Sequence, residues 1–105
     1  MSDTNCIFCK IADKDIPSEI IYEDENFLAF LDIHPTAPGH TLLIPKDHYP
    51  WFYEIPTGLA KDLFASAQKV AKDLKEKYQS DYVELKIIGI DIPHTHVHLI
   101  PRQTS

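Results

Sequence analysis

The hydrophobic and polar positions along the chain change their period several times, and each period predicts one kind of element. Across residues 57–78 the apolar side chains recur at spacings of three or four, which predicts one long amphipathic helix. Across residues 82–88 they alternate strictly with polar ones, which predicts a half-buried strand. Shorter apolar runs between turn-forming residues predict four further strands, at residues 20–22, 27–31, 41–44 and 95–100.

The remaining segments predict a short helix and the turns. Residues 5–13 can form a helix with Asn5 as its N-cap, and Pro17 lies beyond its end. A polar break at residues 24–26 allows the first two strands to pair as a hairpin, and a loop rich in proline occupies residues 34–39. Because no strand–helix–strand unit repeats, this order predicts an α+β fold with an antiparallel sheet.

Composition narrows the class of protein. The chain has 105 residues, of which 44% are hydrophobic and 25% are charged, as expected of one soluble globular domain spanning residues 1–105. No apolar run approaches the ~20 residues of a membrane-spanning helix, and the first residues lack the basic and apolar regions of a signal peptide. The formal net charge of -6 disfavours nonspecific nucleic-acid binding, but it leaves room for a local phosphate site.

The only two cysteines, Cys6 and Cys9, have the spacing C-x-x-C. They could form a disulfide, half of a metal site or a redox motif, or have no special role. Nothing else in the sequence suggests secretion, so reduced thiols in a cytoplasmic protein are the simpler interpretation. A redox motif of the thioredoxin kind is disfavoured because no strand precedes the pair.

Three histidines alternate in the segment HTHVHLIP. On a strand, His94, His96 and His98 would share one face, which must then line a cleft or meet solvent. The Cα atoms of the outer two would lie ~13 Å apart, so one metal ion could bind all three only with strain. Separate roles fit better, because one neutral imidazole can attack phosphorus while its neighbours donate hydrogen bonds or move protons. The alternative is a surface strand whose histidines have no function, and three at strict alternation disfavour it.

These motifs resemble the histidine triad (HIT) family of nucleotide hydrolases and transferases. HTHVHLIP matches the family pattern of histidines separated by apolar residues, except that Thr95 is only weakly apolar. The segments CIFCKI, IPSEIIYEDENFLAFLDIHPTAPGHTLLIPKDH and IPRQ are similar to family segments and follow the family order. The resemblance implies a HIT-like fold, a mostly antiparallel sheet of about five strands with one long and one short helix, usually in a homodimer.

The resemblance also implies an activity. It indicates a hydrolase or nucleotidyl transferase that cleaves a phosphoramidate or phosphoanhydride at the α-phosphate of a purine nucleotide. His96 would be the nucleophile and would form a nucleotidyl-histidine intermediate. His98 would bind or protonate phosphate oxygens, His94 would orient the neighbouring backbone, and His40 would support the triad. Two alternatives stay open: a nucleotide-binding adaptor with little turnover, and an enzyme whose triad binds a catalytic metal.

Further residues are assigned to the nucleotide by the resemblance. Those expected to enclose the base are Ile7, Phe8, Ile11, Phe30 and Ile33. An apolar slot suits a purine, although core packing explains Ile11 and Ile33 equally well. Asp32 would accept hydrogen bonds from ribose hydroxyls, and its alternative role is that of a turn former.

Some family members bind a structural zinc ion with two cysteines and two histidines, and this sequence has a matching set. Its members are Cys6, Cys9, His48 and His94. Two thiolates and two imidazoles make a closed tetrahedral site, which argues against catalysis by the metal. The alternative is a pair of half-buried thiols with His48 on the surface. No organic cofactor is implied.

A few features fall outside the resemblance. Asp91 stands three residues before His94, near the position where many family members have a phosphate-contacting serine. His34 has no assigned role. The aromatic segment 51–53 needs burial, either in a dimer interface or against the long helix. The expected partners are a purine nucleotide and a second copy of the chain.

Overall fold

The computed structural model describes residues 5–104 and contains one five-stranded sheet with two α-helices. The elements in chain order are α1 (Ile7–Ala12), β1 (Ile20–Glu23), β2 (Phe27–Leu31), β3 (Thr41–Pro45), α2 (Thr57–Lys77), β4 (Tyr82–Ile87) and β5 (Val97–Arg102). The strands lie in the order β1-β2-β3-β5-β4, and each neighbouring pair is antiparallel. This confirms the predicted α+β class. Neither helix in this part of the chain is long and apolar enough to cross a membrane.

Helix α2 packs across one face of the sheet and closes the larger core. Its buried side chains, which recur every three or four residues as predicted, are Leu63, Ser66, Ala67, Val70 and Leu74. They face sheet residues from three strands, which are Phe27, Ala29, Leu43, Val97 and Leu99. Fully burying a leucine or valine side chain contributes ~1.5–3 kcal/mol, so this apolar stripe positions α2 on the sheet.

Helix α1 covers the opposite face of the central strands. Leu28 and Phe30 on β2, with Leu42 and Ile44 on β3, form a second apolar cluster with the buried side of α1. Both faces of β2 and β3 are therefore buried, which explains why their sequences are continuous apolar runs instead of alternating ones.

The predicted helix ends differ slightly from those in the structure. Cys6, and not Asn5, is the N-cap of α1, because its Sγ accepts a hydrogen bond from the N–H of Cys9 at 3.4 Å. The long helix begins at the predicted residue, and Tyr78 is its C-cap. The thiol pair is thus part of the local structure that starts α1.

The last strand begins later than predicted. The prediction was residues 95–100, but β5 begins at Val97. The reason is a tertiary contact, because the N–H and the hydroxyl of Thr95 both donate to the carbonyl of Tyr49 at 2.7 Å. Residues 94–96 therefore bond to a loop and lie outside the sheet.

The aromatic segment 51–53 is less buried than expected. Phe52 and Tyr53 lie in a 3₁₀ turn (Phe52–Glu54) and are 52% and 70% exposed. Leu85 on the edge strand β4 is 42% exposed. An apolar surface therefore remains open beside α2 and β4.

Gly39 makes a close contact that positions the start of β3. Its φ is +85°, in the left-handed region that favours glycine. A Cβ atom there would lie 2.6 Å from Cε2 of Tyr78. The end of α2 therefore packs directly against the loop that leads into His40.

Candidate functional site

The three triad histidines face the same side of the sheet, as predicted, but only part of their segment forms a strand. Only His98 lies on β5, while His94 and His96 lie in the irregular segment 94–96. His96 and His98 are neighbours, with ring centroids 5.0 Å apart. The ring of His94 turns instead into a cluster with both cysteines. The bonds of Thr95 to a loop, in place of sheet pairing, allow this turn.

His96 is held in one tautomer by the backbone. Its Nδ1 lies 2.8 Å from the carbonyl oxygen of His94. A carbonyl only accepts, so Nδ1 carries the hydrogen and Nε2 of the neutral ring keeps its lone pair. The residue is 1% exposed, and its ring packs edge-on against Phe8 with centroids 4.9 Å apart. This arrangement can supply an uncharged nitrogen nucleophile.

A chain of hydrogen bonds orients His98. The N–H of Thr36 donates to Nδ1 of His40 at 3.1 Å, so the neutral ring of His40 carries its hydrogen on Nε2. That Nε2–H donates to Nδ1 of His98 at 2.9 Å. The hydrogen of His98 is then on its own Nε2, where it can be donated to a ligand.

Burial keeps the imidazoles of His40, His94 and His98 neutral. It is the main cause that lowers the pKa of His40 and of His98 below the ordinary 6.5. The carboxylate of Asp32, 3.6 Å from Nε2 of His40, acts in the opposite direction without overcoming burial. Burial also lowers the pKa of His94 to about 4. Near pH 7 these rings are therefore uncharged, as the tautomer assignments require.

His96 and His98 line an apolar cleft of about 430 Å³ between α1 and β2. All of the residues expected at the nucleotide line it, namely Ile7, Phe8, Ile11, Phe30, Asp32 and Ile33. The rings of Phe8 and Phe30 pack against each other, with centroids 5.8 Å apart, and both line the cleft. Ile33 is 82% exposed, so core packing does not explain it, whereas Ile11 is buried and serves both the core and the cleft. The volume falls within the ~300–1,000 Å³ of ordinary small-molecule sites.

Part of the lining was missed by sequence reasoning. Among the additional apolar residues are Ile16, Leu42 and Ile92. Leu42 belongs to a strand that is apolar on both faces, so no periodicity marks the side that meets the cleft. Ile16 and Ile92 lie in irregular segments, and each directly precedes a proline. An apolar residue before a proline was the only signal that the sequence offered for them.

A second, more open cavity of about 360 Å³ adjoins the apolar cleft, and we call it the side cavity. The residues that line both are Asp32, His34, Asp91 and His98. The remaining residues of the side cavity are Thr36, His40, Lys86, Ile88 and Ile90. His34, which had no assigned role, is thus an exposed residue at the junction of the two cavities.

The four expected zinc ligands come together on the other side of His94. Their candidate ligand atoms all lie within 4.8 Å of one another. Nδ1 of His94 is 3.2 Å from Sγ of Cys6 and 3.4 Å from Sγ of Cys9. Nδ1 of His48 is 3.2 Å from Sγ of Cys9. Ligand atoms around a tetrahedral zinc ion are roughly 3.6 Å apart, so a small expansion of this set accommodates the ion.

The tautomer of His94 suits a metal ligand. Its Nε2 donates to the carbonyl of Pro45 at 2.8 Å. Nδ1 therefore keeps the lone pair that faces the two thiols, and the bond to Pro45 fixes the ring orientation as outer-shell partners of zinc ligands do. These residues fit a structural zinc ion.

A second group, Asp32, His40 and His98, also places possible ligand atoms within 4.8 Å of one another. It fits a metal less well. Nε2 of His40 carries a hydrogen, because Nδ1 accepts from Thr36, and a protonated nitrogen has no lone pair for a metal. Its two histidines belong to the hydrogen-bond chain that orients His98, and Asp32 lies 3.6 Å from Nε2 of His40.

Comparison with known sequences places this chain among HIT proteins, in agreement with the fold and the histidine arrangement described above. Residues 13–105 match the family model described as HIT domain. The chain is 43% identical over 105 residues to the protein hit of Bacillus subtilis, covering 93% of this chain and 71% of that protein. It is 41% identical over 102 residues to a Saccharomyces cerevisiae protein named adenosine 5′-monophosphoramidase, covering 96% of this chain and 65% of that protein.

Solved structures of similar proteins have the same fold as this chain. The crystal structure of SMU.412c from Streptococcus mutans has a TM-score of 0.93 and 41% identity, covering 99% of this chain and 69% of that one. A zinc-bound histidine triad family protein from Mycobacterium smegmatis has a TM-score of 0.88 and 36% identity, covering 95% and 76%. The fold thus has close structural counterparts, and one of them is a zinc-bound protein.

Proposed function

The chain belongs to the HIT family, and on that basis we propose that it hydrolyses purine nucleotide derivatives at the α-phosphate through a nucleotidyl intermediate on His96. One observation carries the proposal: the bond from Nδ1–H of His96 to the carbonyl of His94 leaves a lone pair on Nε2 of a residue that lines the apolar cleft. The name of the Saccharomyces cerevisiae relative supports a phosphoramidate as substrate.

The nucleoside is proposed to lie in the apolar cleft. The base is proposed to lie against the α1 and β2 lining of this cleft, to which Phe8 and Phe30 contribute aromatic atoms. Asp32 is proposed to bind the ribose hydroxyls. Its Oδ1 accepts the N–H of His34 at 3.0 Å, which orients the carboxylate and leaves Oδ2 with capacity for a ligand.

The chemistry then follows in two displacements. The lone pair on Nε2 of His96 attacks phosphorus, and the bond to the leaving group breaks with its electron pair going to that group. The Nε2–H of His98 donates a hydrogen bond to a phosphate oxygen as charge develops. Water then attacks phosphorus, the electron pair of the P–N bond returns to His96, and the nucleoside monophosphate is released with a proton.

Cys6, Cys9, His48 and His94 are proposed to bind a structural zinc ion. The bound ion supplies a closed cross-link between the start of α1 and the segments that carry the two histidines, without an open position for substrate. The cross-link stabilises α1, which is one wall of the apolar cleft. Because the ligands must be reduced thiols, the proposal places the protein in the cytoplasm.

A homodimer is proposed through the face formed by β4 and α2. β4 is an edge strand that pairs only with β5 among the described residues. Beside it, Phe52, Phe64 and Leu85 are 52%, 58% and 42% exposed and line one apolar groove. An unpaired edge next to exposed apolar side chains favours association with a second copy.

The activity is tested by incubating the protein with adenosine 5′-phosphoramidate and measuring release of AMP. We expect turnover by the wild type and a loss of ~10³-fold or more in His96→Asn. A rapid-quench mass spectrum at alkaline pH should show an adenylyl group on His96. Glu25→Gln, in an exposed turn, serves as the control variant. Binding without any turnover by the wild type would favour a nucleotide-binding adaptor and overturn the proposal.

A further inference from the structure

The chemistry above does not use Asp91, although this carboxylate is close to the reactive nitrogen. Its Oδ1 lies 3.7 Å from Nε2 of His96, and its side chain is 70% exposed. It lines both the apolar cleft and the side cavity. Since an attacking atom and phosphorus approach to ~3–3.5 Å before reaction, a reacting phosphoryl group would lie next to Asp91.

The side cavity shares His98 and Asp91 with the apolar cleft, so it offers space for a leaving group. With the nucleoside in the apolar cleft and phosphorus at His96, the next atoms of the substrate continue past His98 into this cavity. Ile88 and Ile90, which are 52% and 82% exposed, provide an apolar wall there. The cavity can thus receive a group with a polar first atom and an apolar body.

The charges around this cavity do not suit a polyanion. Among the described lining residues, Asp32 and Asp91 are carboxylates and Lys86 is the one permanent cation. Burial lowers the pKa of His40 and of His98, so neither adds a positive charge near pH 7. Lys86 can offset the single charge of one α-phosphate. No further permanent cation then remains in the described lining for additional phosphates, which Asp91 would repel.

An amine leaving group suits this cavity better than a polyanion, because Asp91 can attract it. A nitrogen bonded to phosphorus carries N–H donors, and it carries a positive charge when it is protonated. A carboxylate accepts such hydrogen bonds, and the charge-assisted form is the stronger one. Protonation also prepares the nitrogen to leave as a neutral amine.

We propose that Asp91 selects nucleoside phosphoramidates, by binding the protonated leaving nitrogen and repelling polyphosphate leaving groups; the inference rests on the hydrolase function proposed above. The step balances. The Nε2 lone pair of His96 forms the new bond to phosphorus, and the P–N bond of the protonated phosphoramidate breaks. Its electron pair goes to nitrogen, and the amine departs neutral. Water then releases the nucleotide, and the proton lost from water passes to the amine.

Two substrates with one nucleoside test this selection. An N-propyl phosphoramidate of adenosine has an amine leaving group, while diadenosine triphosphate has a polyanionic one. The quantity measured is the ratio of kcat/KM for the first to kcat/KM for the second. We expect the wild type to prefer the phosphoramidate and Asp91→Asn to reduce the ratio about 10-fold or more. Asp91→Glu should keep the wild-type preference, and Glu25→Gln, which removes an exposed carboxylate elsewhere, should leave the ratio unchanged.

Ionic strength gives a second measurement that a merely structural role would not affect. Because Asp91 is exposed, salt screens its charge, so the wild-type ratio should approach that of Asp91→Asn between about 0.05 and 0.5 M salt. An equal ratio in wild type and Asp91→Asn, or a wild-type preference for diadenosine triphosphate, overturns the inference and leaves the hydrolase function intact. Failure of the wild type on both substrates overturns both.

Discussion

His96 donates its Nδ1 hydrogen to the carbonyl oxygen of His94 at 2.8 Å, and His94 directs its own Nδ1 at the two thiols. One residue therefore belongs to the candidate metal site through its ring and to the candidate nucleophile through its backbone. Any change that moves His94 alters the support of His96. The metal cluster and the reactive ring are two parts of one structural unit.

Removal of metal is expected to destabilise the protein. An ion present at about 100 times its Kd contributes ~2.7 kcal/mol, and each ~1 kcal/mol shifts the Tm of a domain of this size by about 4–8 °C. A strong chelator should therefore lower the Tm by roughly 10 °C or more in a thermal denaturation scan. Cys6→Ser should bind less than one metal per chain by elemental analysis. A stoichiometric metal that survives Cys6→Ser would contradict the ligand assignment.

Stability should depend on the protonation of His40 and His98. Their pKa values in the folded state are below 6.5 because of burial. As pH falls below ~6.5, the unfolded chain binds protons that the folded chain does not, so the free energy of unfolding decreases until pH passes the folded pKa. Urea unfolding from pH 8 to 5 should show this decrease in the wild type and a smaller one in His98→Gln. Equal slopes in the two proteins would contradict the assignment.

Asp32 is expected to recognise ribose. Hydrogen bonds to a charged group contribute ~1.5–3 kcal/mol, so Asp32→Ala should raise the KM for adenosine phosphoramidate about 10-fold, with a smaller effect on kcat. The wild type should prefer the ribonucleoside to its 2′-deoxy analogue, and the variant should lose most of this preference. A variant that keeps the full ribose preference would show that Asp32 only forms the turn with His34.

The apolar groove beside β4 is expected to bind a second copy. Leu85→Glu places a charge on this edge strand, next to exposed Phe52 and Phe64. Light scattering at micromolar concentration should give twice the chain mass for the wild type and a single chain mass for the variant. Ile20→Glu, at an exposed apolar position on the opposite edge of the sheet, is the matched control and should remain dimeric. A monomeric wild type would contradict the prediction.

Much of the fold could be predicted from local periodicity. The stripe of α2 and the apolar runs of β2 and β3 appear in consecutive residues, because burial on one face or on both faces leaves a regular pattern. The positions of the cleft residues came from a resemblance of whole segments. The structure places all of them at one cavity, and their roles toward a nucleotide stay predictions.

The features that could not be predicted depend on residues far apart in sequence. The start of β5 depends on the carbonyl of Tyr49, which takes the donors of Thr95. The tautomer of His98 depends on Thr36, through His40. Strand alternation correctly placed the three histidines on one side, but it did not show that bonds to distant groups keep residues 94–96 outside the strand. Periodicity describes which side of an element is buried, but not which distant group satisfies its backbone.

The contact between Gly39 and Tyr78 joins the end of α2 to the loop before β3. Phe64, near the middle of the helix, belongs to the proposed dimer groove, and Tyr78 at its end presses against the loop that leads to His40. The helix therefore connects the proposed dimer groove with the loop that leads to His40. If two copies associate through that groove, any tilt of α2 changes how Tyr78 packs against Gly39, next to His40.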